Sequence, residues 1–85
     1  MQVDIYRRPE ADNKVSYLLV PHGREVPQEV TNIDWALRKQ DVHIDETSAH
    51  LDSYEIDNPS GQIAEKGYAI TGVRHQVPVG DGHIP

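Results

Sequence analysis

The sequence predicts an α+β domain: a small, mainly antiparallel sheet in the order β-β-α-β-α-β, with helices on one face. Three observations lead there. Val3, Ile5 and Arg7 alternate with Asp4, Tyr6 and Arg8, and after a cluster of turn residues the stretch 15–20 is rich in β-formers. Asn58-Pro59 and Gly67 punctuate a short helix that runs directly into the β-rich segment 68–73. Only 36% of the 85 residues are hydrophobic, a supply that suits a sheet covered on a single side.

Taken in order, the first unit is a hairpin whose connection is Pro9-Glu10-Ala11-Asp12-Asn13-Lys14. Pro21-His22-Gly23-Arg24 ends its second strand in a turn. Val26, Val30, Ile33 and Leu37 then recur at spacings of 4, 3 and 4, so the spacing predicts a helix over 27–39, with Pro27 in its first turn and Arg38 and Lys39 in its last. Trp35 falls off that apolar stripe, and a second reading stays open in which Ile33, Trp35 and Leu37 alternate along a short strand.

Residues 41–58 hold six carboxylates and neither Lys nor Arg. Val42-His43-Ile44 fits a short strand or a bulged connection, and 51–56 a short strand leading to the next helix. That helix has Asn58 as its cap, Pro59 in its first position and Gly67 just past its end at positive φ. Gly61 weakens it. Residues 1–73 thus make one domain, and 74–85, with Pro78, Gly80, Gly82 and Pro85, form a mobile tail that is dispensable for folding.

The motifs Val3-Asp4-Ile5-Tyr6-Arg7-Arg8-Pro9-Glu10 and Gln62-Ile63-Ala64-Glu65-Lys66-Gly67-Tyr68-Ala69-Ile70-Thr71 resemble those of a family of short uncharacterised bacterial proteins, a domain of unknown function. Asn32-Ile33-Asp34-Trp35 resembles its pattern too, and the likeness runs over residues 1–73. The resemblance implies a bacterial, cytoplasmic setting. It brings no activity, cofactor or catalytic residue.

Composition excludes several chemistries. Without Cys there is no disulfide framework, zinc ribbon, iron–sulfur site or thiol nucleophile. Eight basic against 14 acidic residues, net −6, argue against a nucleic-acid partner. The first residues carry no apolar leader segment, and the longest apolar run, Tyr17-Leu18-Leu19-Val20, is far short of a membrane span, so the expectation is a cytoplasmic protein that needs no membrane. Nothing matches a phosphate loop, a Gly-x-Ser-x-Gly elbow, a His-Glu-x-x-His pair or a calcium loop, and no cofactor is expected.

The one constellation with chemical potential is His43, Asp45, Glu46, His50 and Asp52. Imidazoles and carboxylates this close in sequence could hold a divalent transition metal or form an acid–base pair. The commoner meaning of such a segment is a solvated acidic loop, and the sequence favours it; no catalytic residue is assigned. Trp35, Tyr68 and Ile70 are candidates for an interface, and four tyrosines on or near strands (Tyr6, Tyr17, Tyr54, Tyr68) point the same way. The reading that follows is a small non-enzymatic binding or protein-interaction module with a protein partner or a second copy of itself. A metal-binding or acid–base role for the 43–52 cluster is the alternative. Self-association is expected through an uncharged strand edge, either 68–73 or 15–20.

Overall fold

The computed structural model describes residues 1–30, 35–45, 47–72 and 77–78. The expected hairpin is its centre: β1 (Gln2–Glu10) pairs antiparallel with β2 (Lys14–Pro21), Val3 facing Pro21 and Glu10 facing Lys14. Asp12 and Asn13 take the left-handed conformation that a tight connection demands, one that Asn and Asp tolerate better than most residues.

Residues 27–39 do not form the helix that the spacing suggested. Gln28–Val30 makes a single 3-10 turn, and β3 (Ala36–His43) pairs antiparallel with β1; residues 31–34 lie outside the described residues. The outer edge of β1 has N–H and C=O groups that need partners, and this need overrides a helical period that Trp35 already broke. β3 is almost wholly exposed, and its register against β1 slips twice: Val3 faces Val42, Ile5 faces Lys39, Tyr6 faces Leu37. Asp41, at φ 53°, sits in the first of these bulges, between Val42 and Lys39.

Residues 51–56 are not one strand. β4 (His50–Leu51) and β5 (Ile56–Asp57) form a separate small hairpin, joined by a turn in which the Tyr54 N–H donates to Leu51 O at 3.2 Å. Helix α1 (Pro59–Lys66) then begins and ends as its punctuation predicts. The Asn58 side chain accepts from the Gly61 N–H at 3.3 Å, and Gly67, at φ 90°, donates its N–H to Ile63 O at 2.8 Å. Gly61 is no accident in this turn, because a Cβ there would collide with the Asn58 side-chain amide.

β6 (Ala69–Ile70) pairs with Leu18 and Leu19 of β2, and β7 (Val77–Pro78) with Lys14 and Val15 of the same strand. The main sheet therefore runs β3-β1-β2-β6, with β7 alongside β6 on the outer side of β2. Of the segment 74–85, expected as a tail, two residues are described, and both are docked: Val77 is 3% exposed, inside the core. The anchored part of the chain thus extends beyond 73; residues 79–85 lie outside the described residues.

β2 is buried over six consecutive residues, so the sheet is covered on both faces rather than one. On the first face Val15, Tyr17 and Leu19 pack with Val3, Ile5, Ile44, Ile56, Ala69 and Val77, and Ile63 of α1 lies against them. On the second, Leu18 and Val20 pack with Tyr68 under Tyr6, Val26, Val30, Trp35 and Ile70. The α+β class stands, with one α-helix and an antiparallel sheet. No described helix is long and apolar enough to cross a membrane.

Candidate functional site

The hairpin β4–β5 is anchored by its apolar residues and turns its polar ones outward. Ile56 is fully buried in the first core and Leu51 packs beside it. His50 and Asp57 face each other across the pair, and the left-handed Glu55 (φ 52°) completes the connecting turn. These constraints gather three carboxylates round one imidazole. His50 Nδ1 donates to Asp57 Oδ1 at 2.6 Å, while Nε2 lies 3.2 Å from Glu55 Oε2 and 3.5 Å from Asp52 Oδ1. The hydrogen bonds from Asp57 and then Glu55 push the His50 pKa up, against a smaller opposing effect of burial.

Of the residues singled out in the sequence, His50 and Asp52 therefore meet, and His43 and Asp45 do other work. His43 Nδ1 bonds to Gln2 Oε1 at 2.8 Å, tying the end of β3 to β1. Asp45 accepts from both the hydroxyl and the N–H of Thr47, bonds that lower its pKa. Glu46 lies outside the described residues. Glu55 and Asp57 were not among the candidates. The signal for them was the alternation Glu55-Ile56-Asp57, which buries Ile56 and sends both carboxylates to the His50 side.

A second ionic cluster was also missed. Asp4 is buried beneath the β3 bulge, where its Oδ1 takes the Asp41 N–H at 2.9 Å and His22 Nδ1 at 2.7 Å. Burial alone would raise the Asp4 pKa, but the His22 imidazole and the backbone N–H groups outweigh it and hold the carboxyl below its ordinary value. Asp4 in turn raises the His22 pKa, chiefly through the same hydrogen bond.

These shifts set the pH response of stability. Both imidazoles bind their proton more tightly folded than unfolded, so their contribution is whole below about pH 6.5 and is lost as pH rises through their raised values. The depressed Asp4 acts in the opposite sense: its contribution is present above about pH 3.8 and lost as pH falls through its lowered value. The melting temperature should accordingly decline on going from pH 6 to pH 8.5, and the double variant His22→Gln, His50→Gln should lack that decline. A rise over this interval would contradict the assignment.

The three residues proposed for an interface come together on the second face of the sheet. Trp35 and Ile70 are half-buried against Leu18, Val20 and Tyr68, and the Arg8 guanidinium lies 4.5 Å from the Trp35 ring centroid. Lys66 lies 4.8 Å from the Tyr68 ring in the same manner. Next to them, paired with Tyr6, is Leu37, which at 46% is the one large apolar side chain that is exposed among the described residues. The Trp35 indole N–H is buried and has no hydrogen-bond partner among the described residues.

The sheet edges differ in how they are closed. β2, one of the two strands expected to offer an edge, is interior. β6 is outermost, but its Ile70 N–H is taken by the Gln62 side chain of α1 at 3.1 Å. β3 carries the two bulges together with Arg38 and Lys39, the usual means of discouraging edge pairing.

No curated protein and no solved structure matches the chain. A family model does, over residues 1–77, so its reach includes the docked Val77. The chain belongs to DUF6139, a family of unknown function.

Proposed function

We propose that the protein is a small non-enzymatic interaction module that receives a protein partner on the Trp35 side of its sheet. The observation that carries this reading is the meeting of Trp35, Tyr68 and Ile70 in one cluster bordered by the exposed Leu37. Interfaces favour aromatic residues and Arg over Lys, Glu and Asp at their centres, and Tyr6, Trp35, Tyr68 and Arg8 supply that composition here. On a chain of net charge −6, two cations are nevertheless held over the rings of this cluster, Arg8 and Lys66. The partner that complements it presents an apolar anchor flanked by carboxylates. A second copy of this chain is the less suitable occupant, because the edges of β3 and β6 are guarded against strand pairing.

A photo-reactive amino acid at Leu37, and for comparison at the exposed Glu65 of α1, identifies what docks. The cross-linked protein, purified, should bind the native chain, and Leu37→Glu should weaken that binding by tenfold or more while leaving the melting temperature within a degree or two. Equal labelling at Leu37 and Glu65, or undiminished binding by Leu37→Glu, would dismiss this surface. Capture of a second copy would replace the foreign partner with a homodimer.

A further inference from the structure

We propose that His50, Asp52 and Glu55 bind a divalent transition cation of the zinc type, with Asp57 orienting the imidazole from behind. The site lies on the β4–β5 hairpin and does not depend on the Trp35 surface.

His50 Nδ1 is fully engaged by Asp57 at 2.6 Å, which fixes the proton on that nitrogen and turns Nε2 toward the other two carboxylates. This is the arrangement of metal-bound histidines, whose far nitrogen is held by a carboxylate or carbonyl that sets tautomer and orientation. Among the described residues, Nε2 then faces acceptors, Glu55 Oε2 and Asp52 Oδ1. Whatever fills the space between them must be positive: the second ring proton, or a cation in its place.

Distances decide that a metal fits. Bonds of about 2.1 Å from a tetrahedral zinc to nitrogen and oxygen separate the donor atoms by roughly 3.4 Å. The two nitrogen–oxygen separations here, 3.2 and 3.5 Å, bracket that edge. All three donor atoms lie within 4.8 Å of one another, so the carboxylate–carboxylate edge has at most a modest distance to close. Asp52, whose side chain is 96% exposed, is free to rotate through it. Three protein ligands leave the fourth position for water.

The mixed donor set also selects the ion. Acidic surface alone offers oxygen and suits calcium or magnesium, which need six or more oxygen ligands or keep their own water. An imidazole presented with two carboxylates suits zinc and its neighbours instead. The hairpin gives the site its rigidity. Leu51 and Ile56 are packed into the core on the residues adjoining His50, Glu55 and Asp57, and the Glu55 N–H donates to Asp52 O at 3.4 Å.

Calorimetric titration of the full chain with zinc chloride at pH 7.5, paired with imidazole nitrogen NMR, tests this. We expect one saturable zinc per chain, a shift at His50 Nε2 with the Nδ1 proton retained, and no heat from calcium at the same concentration. His50→Ala should abolish binding, Asp57→Asn should weaken it ten- to a hundredfold, and His22→Ala and His43→Ala should leave it intact. Asp52→Asn guards against an unfolded His50 variant: its side chain is in solvent, so its fold survives and its affinity must still fall about tenfold. Absence of saturable binding below millimolar zinc, equal binding of calcium, or full affinity in Asp52→Asn would each overturn the site.

Discussion

A chain ended after Arg74 should melt about 10 °C or more below the full-length protein. The expectation rests on Val77, which β7 delivers into the core beside Val15 at 3% exposure. Burying a valine side chain contributes about 1.5–3 kcal/mol. For a domain of this size each kcal/mol moves the melting temperature by about 4–8 °C. Truncation also strips the partner from the first residues of β2, leaving Lys14 and Val15 without their outer neighbours. Total stability on the order of 4–13 kcal/mol makes such a loss severe. Val77→Ala in the intact chain isolates the packing part and should lose about 1.5 kcal/mol, from about 0.8 per buried carbon. Thermal melts of the three proteins decide the matter: an unchanged midpoint on truncation would show that the β7 pairing is dispensable.

Thr71→Val should be comparably damaging, although it changes neither shape nor volume. The Thr71 hydroxyl accepts from the Tyr17 N–H at 2.8 Å and donates to Tyr54 O at 2.7 Å, and the residue is 4% exposed. One oxygen thereby joins the centre of β2, the turn between β4 and β5, and the end of β6. Valine keeps the methyl and strands both backbone groups where water cannot reach them. At about 1–3 kcal/mol for each buried group left unpaired, the loss should be roughly 2–4 kcal/mol. Thr71→Ser retains the hydroxyl and should lose no more than about 1 kcal/mol. Urea denaturation distinguishes the two, and equal stability of the valine and serine variants would remove the hydroxyl from the account.

Both expectations depend on features that the sequence expresses unevenly. The β1–β2 hairpin and the cap residues of α1 are local, and local rules found them: Asn58, Pro59 and Gly67 stand where they were expected. The uninterrupted run Val15-Ser16-Tyr17-Leu18-Leu19-Val20 also announces a strand buried on both faces, and so an interior one. A low overall apolar content points to a single covered face, but it averages over the exposed β3 and hides the concentration of apolar residues in β2.

The middle of β3 was hidden for a different reason. Its residues, Arg38-Lys39-Gln40-Asp41 above all, carry no strand signal, and what makes them a strand is the unpaired edge of β1, more than thirty residues away in sequence. The Val77 pairing is non-local in the same sense: a two-residue strand surrounded by Gly and Pro leaves no periodic trace. At the candidate metal site His50 and Asp52 were visible as residue types, but their partners Glu55 and Asp57 are chosen by the hairpin register, which follows from which of Leu51 and Ile56 faces inward. Chemistry was legible there and geometry was not.

The position of β2 in the sheet has a consequence for the order in which the protein folds. Its inner neighbour, β1, is four residues away along the chain, whereas the Tyr17 backbone is closed by Thr71 across 54 residues. During synthesis β2, buried over six consecutive residues in the finished fold, thus waits for Thr71, 54 residues later, before its outer side is covered. A lone two-stranded hairpin is marginal in water, and the long closure adds an entropic barrier that only the late contacts repay. The nascent domain therefore gains its cooperativity from β6 and β7, and a pause before residue 77 would expose β2 when it is most prone to pair with a stranger.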